Sequence, residues 1–190
     1  MKQILIALVE DKPGVLNRIA SLFRRRNFNI ESLVVGHSEV PGASRLTIVT
    51  DEEERLRRNI IRQNLLKLVN VIDVTDVTDL PCILREHALI KVQSAGATRG
   101  EIAALVDMYR GRIVDVGMES LVVEITGEPT KIESLIDVLA TYGIIEIVRA
   151  GKVAITRGPQ NPTDNGNLHL WKSSRGKASQ DKARWKGMTV

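Results

Sequence analysis

Residues 3 to 16 read Gln3-Ile4-Leu5-Ile6-Ala7-Leu8-Val9-Glu10-Asp11-Lys12-Pro13-Gly14-Val15-Leu16, and a change of rhythm inside this stretch decides the fold. Ile4 to Val9 is an unbroken apolar run bounded by polar residues, which predicts a short strand with apolar side chains on both faces. Beyond Pro13-Gly14 the apolar residues move to helical spacing, Val15/Leu16, Ile19 and Leu22/Phe23, so a helix begins there. Asp11 is the expected N-cap, Pro13 fits the first turn without wasting a donor, and Gly14 leaves the backbone bare. Helices cover only one face of a sheet built on such a strand, and a partner subunit is the expected cover for the other.

Working outward, a strand is expected over 29–35, a turn at Pro41-Gly42 and a strand over 45–50. Asp51 is expected to cap a helix running to about Lys67, with Glu52, Glu53 and Glu54 complementing its dipole and Leu56, Ile60 and Leu65 on its buried side. A strand over 71–74 completes the order βαββαβ. The order then repeats. A strand over 89–93 precedes Thr98-x-x-Glu101, a capping-box pattern that opens a helix with Ile102, Leu105, Val106 and Tyr109 inward. Strands over 113–116 and 121–126 follow, then a helix from Pro129 with Ile132, Leu135, Ile136 and Leu139 on one side. Tyr142-Gly143 stops it before a strand over 144–148, and a short strand over 153–156 ends the pattern. The fold class is therefore α+β, with two tandem ferredoxin-like units over 1–78 and 86–157 and a proline-containing linker at 79–85. Glu-Ser-Leu-Val-Val occurs at 31–35 and again at 119–123, but on non-equivalent strands, so the repeat rests on element order.

The chain has 190 residues, 43% hydrophobic and 26% charged, an ordinary soluble composition. One cysteine, Cys82, excludes an internal disulfide, and three scattered histidines, His37, His87 and His169, argue against a zinc cage. The apolar run at Ile4–Val9 falls far short of a membrane span and has no signal-peptide cleavage site after it, so a cytoplasmic location is expected. The net charge of +4 invites a nucleic-acid reading until it is divided. From Arg157 onward there are seven Lys/Arg against two Asp, whereas residues 1–156 carry 20 basic and 21 acidic groups. The basicity belongs to the segment 158–190, rich in Gly, Pro, Asn, Ser and Lys, which is expected to be a disordered tail. Trp171 and Trp185 sit among its cations, a pattern that suits either a solvated tail or a grip on bases or an acidic surface.

Catalytic signatures are missing from the sequence: there is no G-x-S-x-G, H-E-x-x-H, C-x-x-C, phosphate loop or dinucleotide fingerprint. Aromatic residues, at 3%, are too few for a stacking platform. No metal site or cofactor of the chain's own is expected. Binding logic is confined to the Glu10–Leu16 segment, where the helix's free amides and positive end suit a small carboxylate. Asn29, at the start of the next strand, adds a neutral donor and acceptor. From spacing alone the segment reads either as this site or as a well-capped helix start.

Those residues also carry a resemblance. The stretch Glu-Asp-Lys-Pro-Gly-Val-Leu-Asn-Arg-Ile-Ala-Ser-Leu-Phe-Arg-Arg-Arg-Asn-Phe-Asn-Ile-Glu-Ser-Leu at 10–33, with Ser-Arg-Leu-Thr-Ile at 44–48 and Leu-Lys-Leu-Val-Asn-Val at 66–71, resembles the regulatory small subunits of acetolactate synthase (acetohydroxyacid synthase). The likeness continues through Leu-Ile-Lys-Val at 89–92 and Arg-Gly-Arg-Ile-Val-Asp-Val at 110–116 to Ala-Gly-Lys-Val-Ala-Ile-Thr-Arg-Gly at 150–158. It implies an N-terminal ACT domain that forms a homodimer and binds an effector, followed by a C-terminal ferredoxin-like domain. It further implies a non-catalytic protein of valine, leucine and isoleucine biosynthesis that binds the large catalytic subunit, activates it and confers feedback inhibition by valine or a related amino acid. Thiamine diphosphate, Mg²⁺ and FAD would belong to that catalytic subunit. The resemblance points to Asp11, Gly14 and Asn29, with their neighbours Val15, Leu16 and Ile30, as effector-binding residues. Asp11 stands where another branch of the family has asparagine; its charge attracts an ammonium and repels a carboxylate. The alternative is a free-standing ACT-domain amino-acid sensor acting in nucleic-acid regulation through the basic tail. The near-neutral 1–156 and the lack of a helix-turn-helix pattern weigh against it, so neither nucleic acid nor membrane is an expected partner.

Overall fold

The structure, a computed structural model, describes residues 2–158. The segment expected to be a disordered tail, apart from Gly158, lies outside the described residues. The chain divides into two compact units, with the change near Cys82–Ile83 and the described residues 156–158 grouped with the first.

In the first unit the elements are β1 (Gln3–Glu10), α1 (Val15–Arg25), β2 (Ile30–His37), β3 (Ala43–Thr50), α2 (Arg55–Leu66) and β4 (Val71–Asp76). They form an antiparallel sheet in the order β2-β3-β1-β4. The second unit repeats this with β5 (Cys82–Gln93), α3 (Arg99–Met108), β6 (Arg112–Val116), β7 (Ser120–Gly127), α4 (Pro129–Ala140) and β8 (Ile144–Arg149), in the order β6-β7-β5-β8. A last strand, β9 (Val153–Thr156), pairs with β5. Both units have the ferredoxin-like arrangement, and the two Glu-Ser-Leu-Val-Val copies fall on edge strand β2 and inner strand β7.

Leu5, Ala7 and Val9 of β1 join Leu46 and Ile48 of β3 beneath Val15, Ile19, Leu22 and Phe23 of α1 and Ile61 and Leu65 of α2. The second face of β1 is also buried: Ile6 is 0% and Leu8 1% exposed, and Leu8 packs with Val40, Ala43 and Ile72. The expectation that a partner must cover this face is therefore corrected, because the chain itself closes it. In the second unit Ala88, Ile90 and Val92 meet Leu121, Val123 and Ile125 beneath Ile102 and Val106 of α3 and Ile132, Leu135 and Leu139 of α4.

Local expectations fail at four places, each for a physical reason. Asp51 does not cap α2. The helix begins at Arg55, Glu54 holds an extended backbone at the N-cap, and Glu52 accepts the Glu54 N–H at 3.2 Å, so the acidic run forms a turn ahead of the helix. The buried side of α2 is Arg58, Ile61 and Leu65, whereas Leu56 is 73% and Ile60 46% exposed. Leu56/Ile60 and Ile61/Leu65 are both i,i+4 pairs, and docking against the sheet selects the second. Thr98 stands at the N-cap of α3, but its hydroxyl donates to the Ala95 carbonyl at 3.1 Å, so the capping box does not form. The linker expected at 79–85 is partly strand: β5 starts at Cys82, and the connection is a turn in which Leu80 N–H donates to the Val77 carbonyl at 3.1 Å.

Candidate functional site

The turn from Glu10 to Gly14 is fastened on both sides. Glu10 donates its N–H to the Asn70 carbonyl at 2.9 Å, and its carboxylate accepts from Asn70 Nδ2 at 2.6 Å and pairs with Lys12 Nζ at 2.8 Å. Arg18 of α1 donates to Asn70 Oδ1, which closes a polar cluster under the turn. On the other side Asp11 N–H donates to the Gly42 carbonyl at 3.0 Å, tying the turn to the β2–β3 hairpin. The Asp11 carboxylate is half exposed, with His37 Nδ1 at 4.0 Å.

Gly14, not Asp11, is the N-cap of α1, and this corrects the expected capping. Its backbone is left-handed, with φ at 84°, a conformation that costs a residue with a side chain roughly 1–2 kcal/mol. Nothing lies within 4 Å of the place a Cβ would occupy. The helix start has no side-chain cap and no acidic residue in its first turn. Its partial positive charge therefore meets open space across bare backbone, the arrangement that accepts a carboxylate. Nearby in the hairpin, burial holds the Arg45 guanidinium below its ordinary range, with Glu39 acting in the opposite direction.

The other candidates are placed unevenly. Val15 is 4% exposed and committed to the core, so only its backbone is available to a ligand. Leu16 is 45% exposed beside the turn. Ile30 is half-buried against the core, and Asn29 is exposed just ahead of β2. Strand register separates Asn29 from the rest. Glu10 pairs with Ala43, and His37 with Ser44, at one end of the sheet, while Ile30 and Gln3 both pair with Thr50 at the other. The eight residues of β2 therefore put Asn29 about 23 Å along the strand from the Asp11–Gly14 turn. The residues that do join the turn are His37 and Gly42, which by sequence stand only as a scattered histidine and a hairpin-turn glycine. Their signal was the topology itself, which brings the β2–β3 hairpin beside the end of β1.

Among the described residues no cluster of three or more His, Cys, Asp or Glu side chains is placed to hold a metal ion. No described helix is long and apolar enough to cross a membrane.

Comparison with known proteins bears on both units. Residues 5–73 match the family described as AHAS small subunit-like ACT domain, and residues 85–158 match the family described as small subunit of acetolactate synthase. The acetolactate synthase small subunit of Mycolicibacterium smegmatis is 49% identical over 156 residues, covering 82% of this chain and 91% of that protein. The Bacillus subtilis acetolactate synthase small subunit is 46% identical over 160 residues, covering 84% and 93%. The crystal structure of the Thermotoga maritima acetolactate synthase small subunit superposes with a TM-score of 0.76 at 39% identity, covering 84% of this chain and 99% of that one.

Proposed function

The chain belongs to the acetolactate synthase small-subunit family, and from that premise we propose that it binds and activates a catalytic acetolactate synthase subunit and confers feedback inhibition by valine or a related branched-chain amino acid. It is a non-catalytic, regulatory member of the pair. Thiamine diphosphate, Mg²⁺ and FAD act in the catalytic subunit, in the cytoplasm, and this chain contributes control.

The observation that carries the effector reading is the Gly14 turn: a left-handed glycine, open space where a side chain would sit, and an uncapped helix N-terminus. A carboxylate settles against the first-turn amides, and the Asp11 carboxylate accepts from an ammonium. A zwitterion satisfies both at once. The remaining candidate, Asn29, is about 23 Å away in the same chain by strand length, which points to a second copy. β2 is an edge strand of the sheet formed by the described residues, with Leu33 38% and Val35 42% exposed. Two such edges pairing antiparallel across a two-fold axis bring the start of one β2 beside the end of the other. The partner's Asn29 then lies near this copy's Asp11–Gly14 turn, and the site is completed by the homodimer. This edge supports dimerisation where the buried face of β1 does not.

The test is to mix the purified chain with the catalytic subunit from the same cell and assay acetolactate with and without valine, leucine and isoleucine. Activation that one of these amino acids reverses is the expected result. An assay unchanged by the chain overturns the proposal.

A further inference from the structure

Helix α2 turns Leu56 and Ile60 outward and Arg58 inward. Arg55, Arg58 and Arg62 follow one another at i, i+3 and i+7, which places three guanidiniums on one helix face. With Leu56 and Asn59 of the same helix, and Asp76, Asp79 and Leu80 after β4, they line a cleft of about 480 Å³. Leu56 is 73% and Leu80 45% exposed at its rim, and Ile60 extends the apolar stripe.

The charges in this cleft are incompletely answered. Arg58 is only 9% exposed, yet its Nε has no hydrogen-bond partner among the described residues. Its Nη2 reaches Asp79 Oδ2 at 3.4 Å, and that carboxylate is 71% exposed. Asp76 is engaged elsewhere: it accepts from Gln3 Nε2 at 2.7 Å, from the Thr78 N–H at 3.0 Å and from the Thr78 hydroxyl. Arg62 donates Nε to the Val74 carbonyl at 3.0 Å, and neither Arg55 nor Arg62 forms an ion pair among the described residues. A buried guanidinium without a full set of acceptors is costly, and a helix that turns Leu56 outward and Arg58 inward contradicts its own apolar pattern. Such contradictions are expected where a surface is shaped for a partner.

We propose that this α2 face is the docking surface for an acidic segment of the catalytic subunit, whose carboxylates meet Arg55, Arg58 and Arg62 while its apolar side chains cover Leu56 and Leu80. The proposal rests on the regulatory-subunit reading and adds the place of contact. Charge complementarity selects carboxylates. The exposed leucines select a protein segment over a free anion, because a free anion offers them nothing to bury against.

Activation of the catalytic subunit by the full chain is the assay, with the small-subunit concentration for half-maximal activation as the readout. Arg55→Glu with Arg62→Glu raises that concentration by about tenfold or more, and Leu56→Ser raises it by about threefold. Arg55→Lys with Arg62→Lys recovers most of the wild-type value. Raising the salt weakens wild type more than the double glutamate variant. Arg55 and Leu56 are exposed, whereas Arg62 is half-buried and donates to Val74, so Arg55→Glu alone is measured beside the double variant, and unchanged thermal denaturation and effector binding check that folding is intact. If the wild type activates and the variants match it, the docking surface is overturned while the regulatory reading stands. If the wild type does not activate the cognate catalytic subunit, both fall. If inorganic phosphate binds the wild-type chain, is lost in Arg58→Gln, and activation is the same in both, the cleft is a small-anion site and the docking proposal falls.

Discussion

The two units share a topology and differ in how they fix their first strand. In β1 the polar anchor is Gln3, neutral and 0% exposed, which accepts from the Thr50 hydroxyl at 3.3 Å and donates to the Arg58 carbonyl at 3.0 Å and to Asp76 Oδ2 at 2.7 Å. In β5 the anchor is charged: Glu86, 4% exposed, takes two hydrogen bonds from Arg149, at 2.5 and 3.1 Å, and Arg149 reaches Glu133 at 2.7 Å. The Glu86 bond, and then the Glu133 bond, hold the Arg149 guanidinium above its ordinary range against the opposing effect of burial. Past the anchor, β1 is buried on both faces, while β5 alternates, with Ala88, Ile90 and Val92 buried and Leu89 and Lys91 half-buried. The turns after these strands differ in the same sense. Gly14 leaves open backbone at the start of α1, whereas Thr98 carries a side chain at the start of α3. One fold thus supplies a heavily buried unit with an approachable turn, and a second with a charged clasp and a first strand of alternating burial.

The contrast breaks first at the clasp. Arg149→Met strands a buried carboxylate and is expected to lower stability by about 3 kcal/mol, the low end for a broken buried pair because Arg149 is itself 34% exposed. Calorimetry should show the second unit melting earlier while effector binding by the first persists at lower temperature. Gln3→Met removes two neutral bonds and one to the Asp76 carboxylate, which keeps its bonds to Thr78, and is expected to cost roughly 1–3 kcal/mol in chemical denaturation. If it costs more than Arg149→Met, the distinction between the anchors fails.

The turns sharpen the contrast further. Gly14→Asp and Gly143→Ala both force a side chain onto a left-handed backbone, φ 84° and 92°, with strain of roughly 1–2 kcal/mol each. In the proposed site only Gly14→Asp would set a like charge against the effector's carboxylate. We expect it to raise the valine concentration for half-inhibition by about tenfold or more, with activation retained, while Gly143→Ala leaves that concentration unchanged. Mixing Gly14→Asp chains with Asn29→Ala chains should restore part of the inhibition, because a hybrid dimer holds one intact site. No recovery would place Asn29 outside it. The smallest effect is expected at Leu56→Ala, within about 0.5 kcal/mol of wild type in thermal denaturation, since this leucine is 73% exposed.

Element order and both cores were legible because apolar period and turn residues agree along most of the chain: β1, α1, α4 and β9 stand where the pattern puts them. Ends and faces were less so. Asp51 and Thr98 are good capping residues by type, but caps depend on where the preceding strand releases the chain. The α2 face was ambiguous because two apolar i,i+4 pairs overlap, and tertiary docking decides between them. The turn ahead of α1 was legible from Asp11-Lys12-Pro13-Gly14, yet the separation of Asn29 from it was not, since register is a property of the sheet. The buried pair Glu86–Arg149 spans 63 positions and leaves no local trace.

Consider finally the length of β2. It holds Asn29 a full strand away from Gly14, so in the proposed site a lone chain would have only half of the binding residues, and the effector would be a ligand of the pair alone. Mass action would then make the effector a fastener: each site filled would add RT ln(1 + [L]/Kd) to the free energy of association. Sensitivity to the end product would become a function of how much regulator the cell makes. A dilute regulator would be deaf to an effector concentration that silences a concentrated one, with no residue changed.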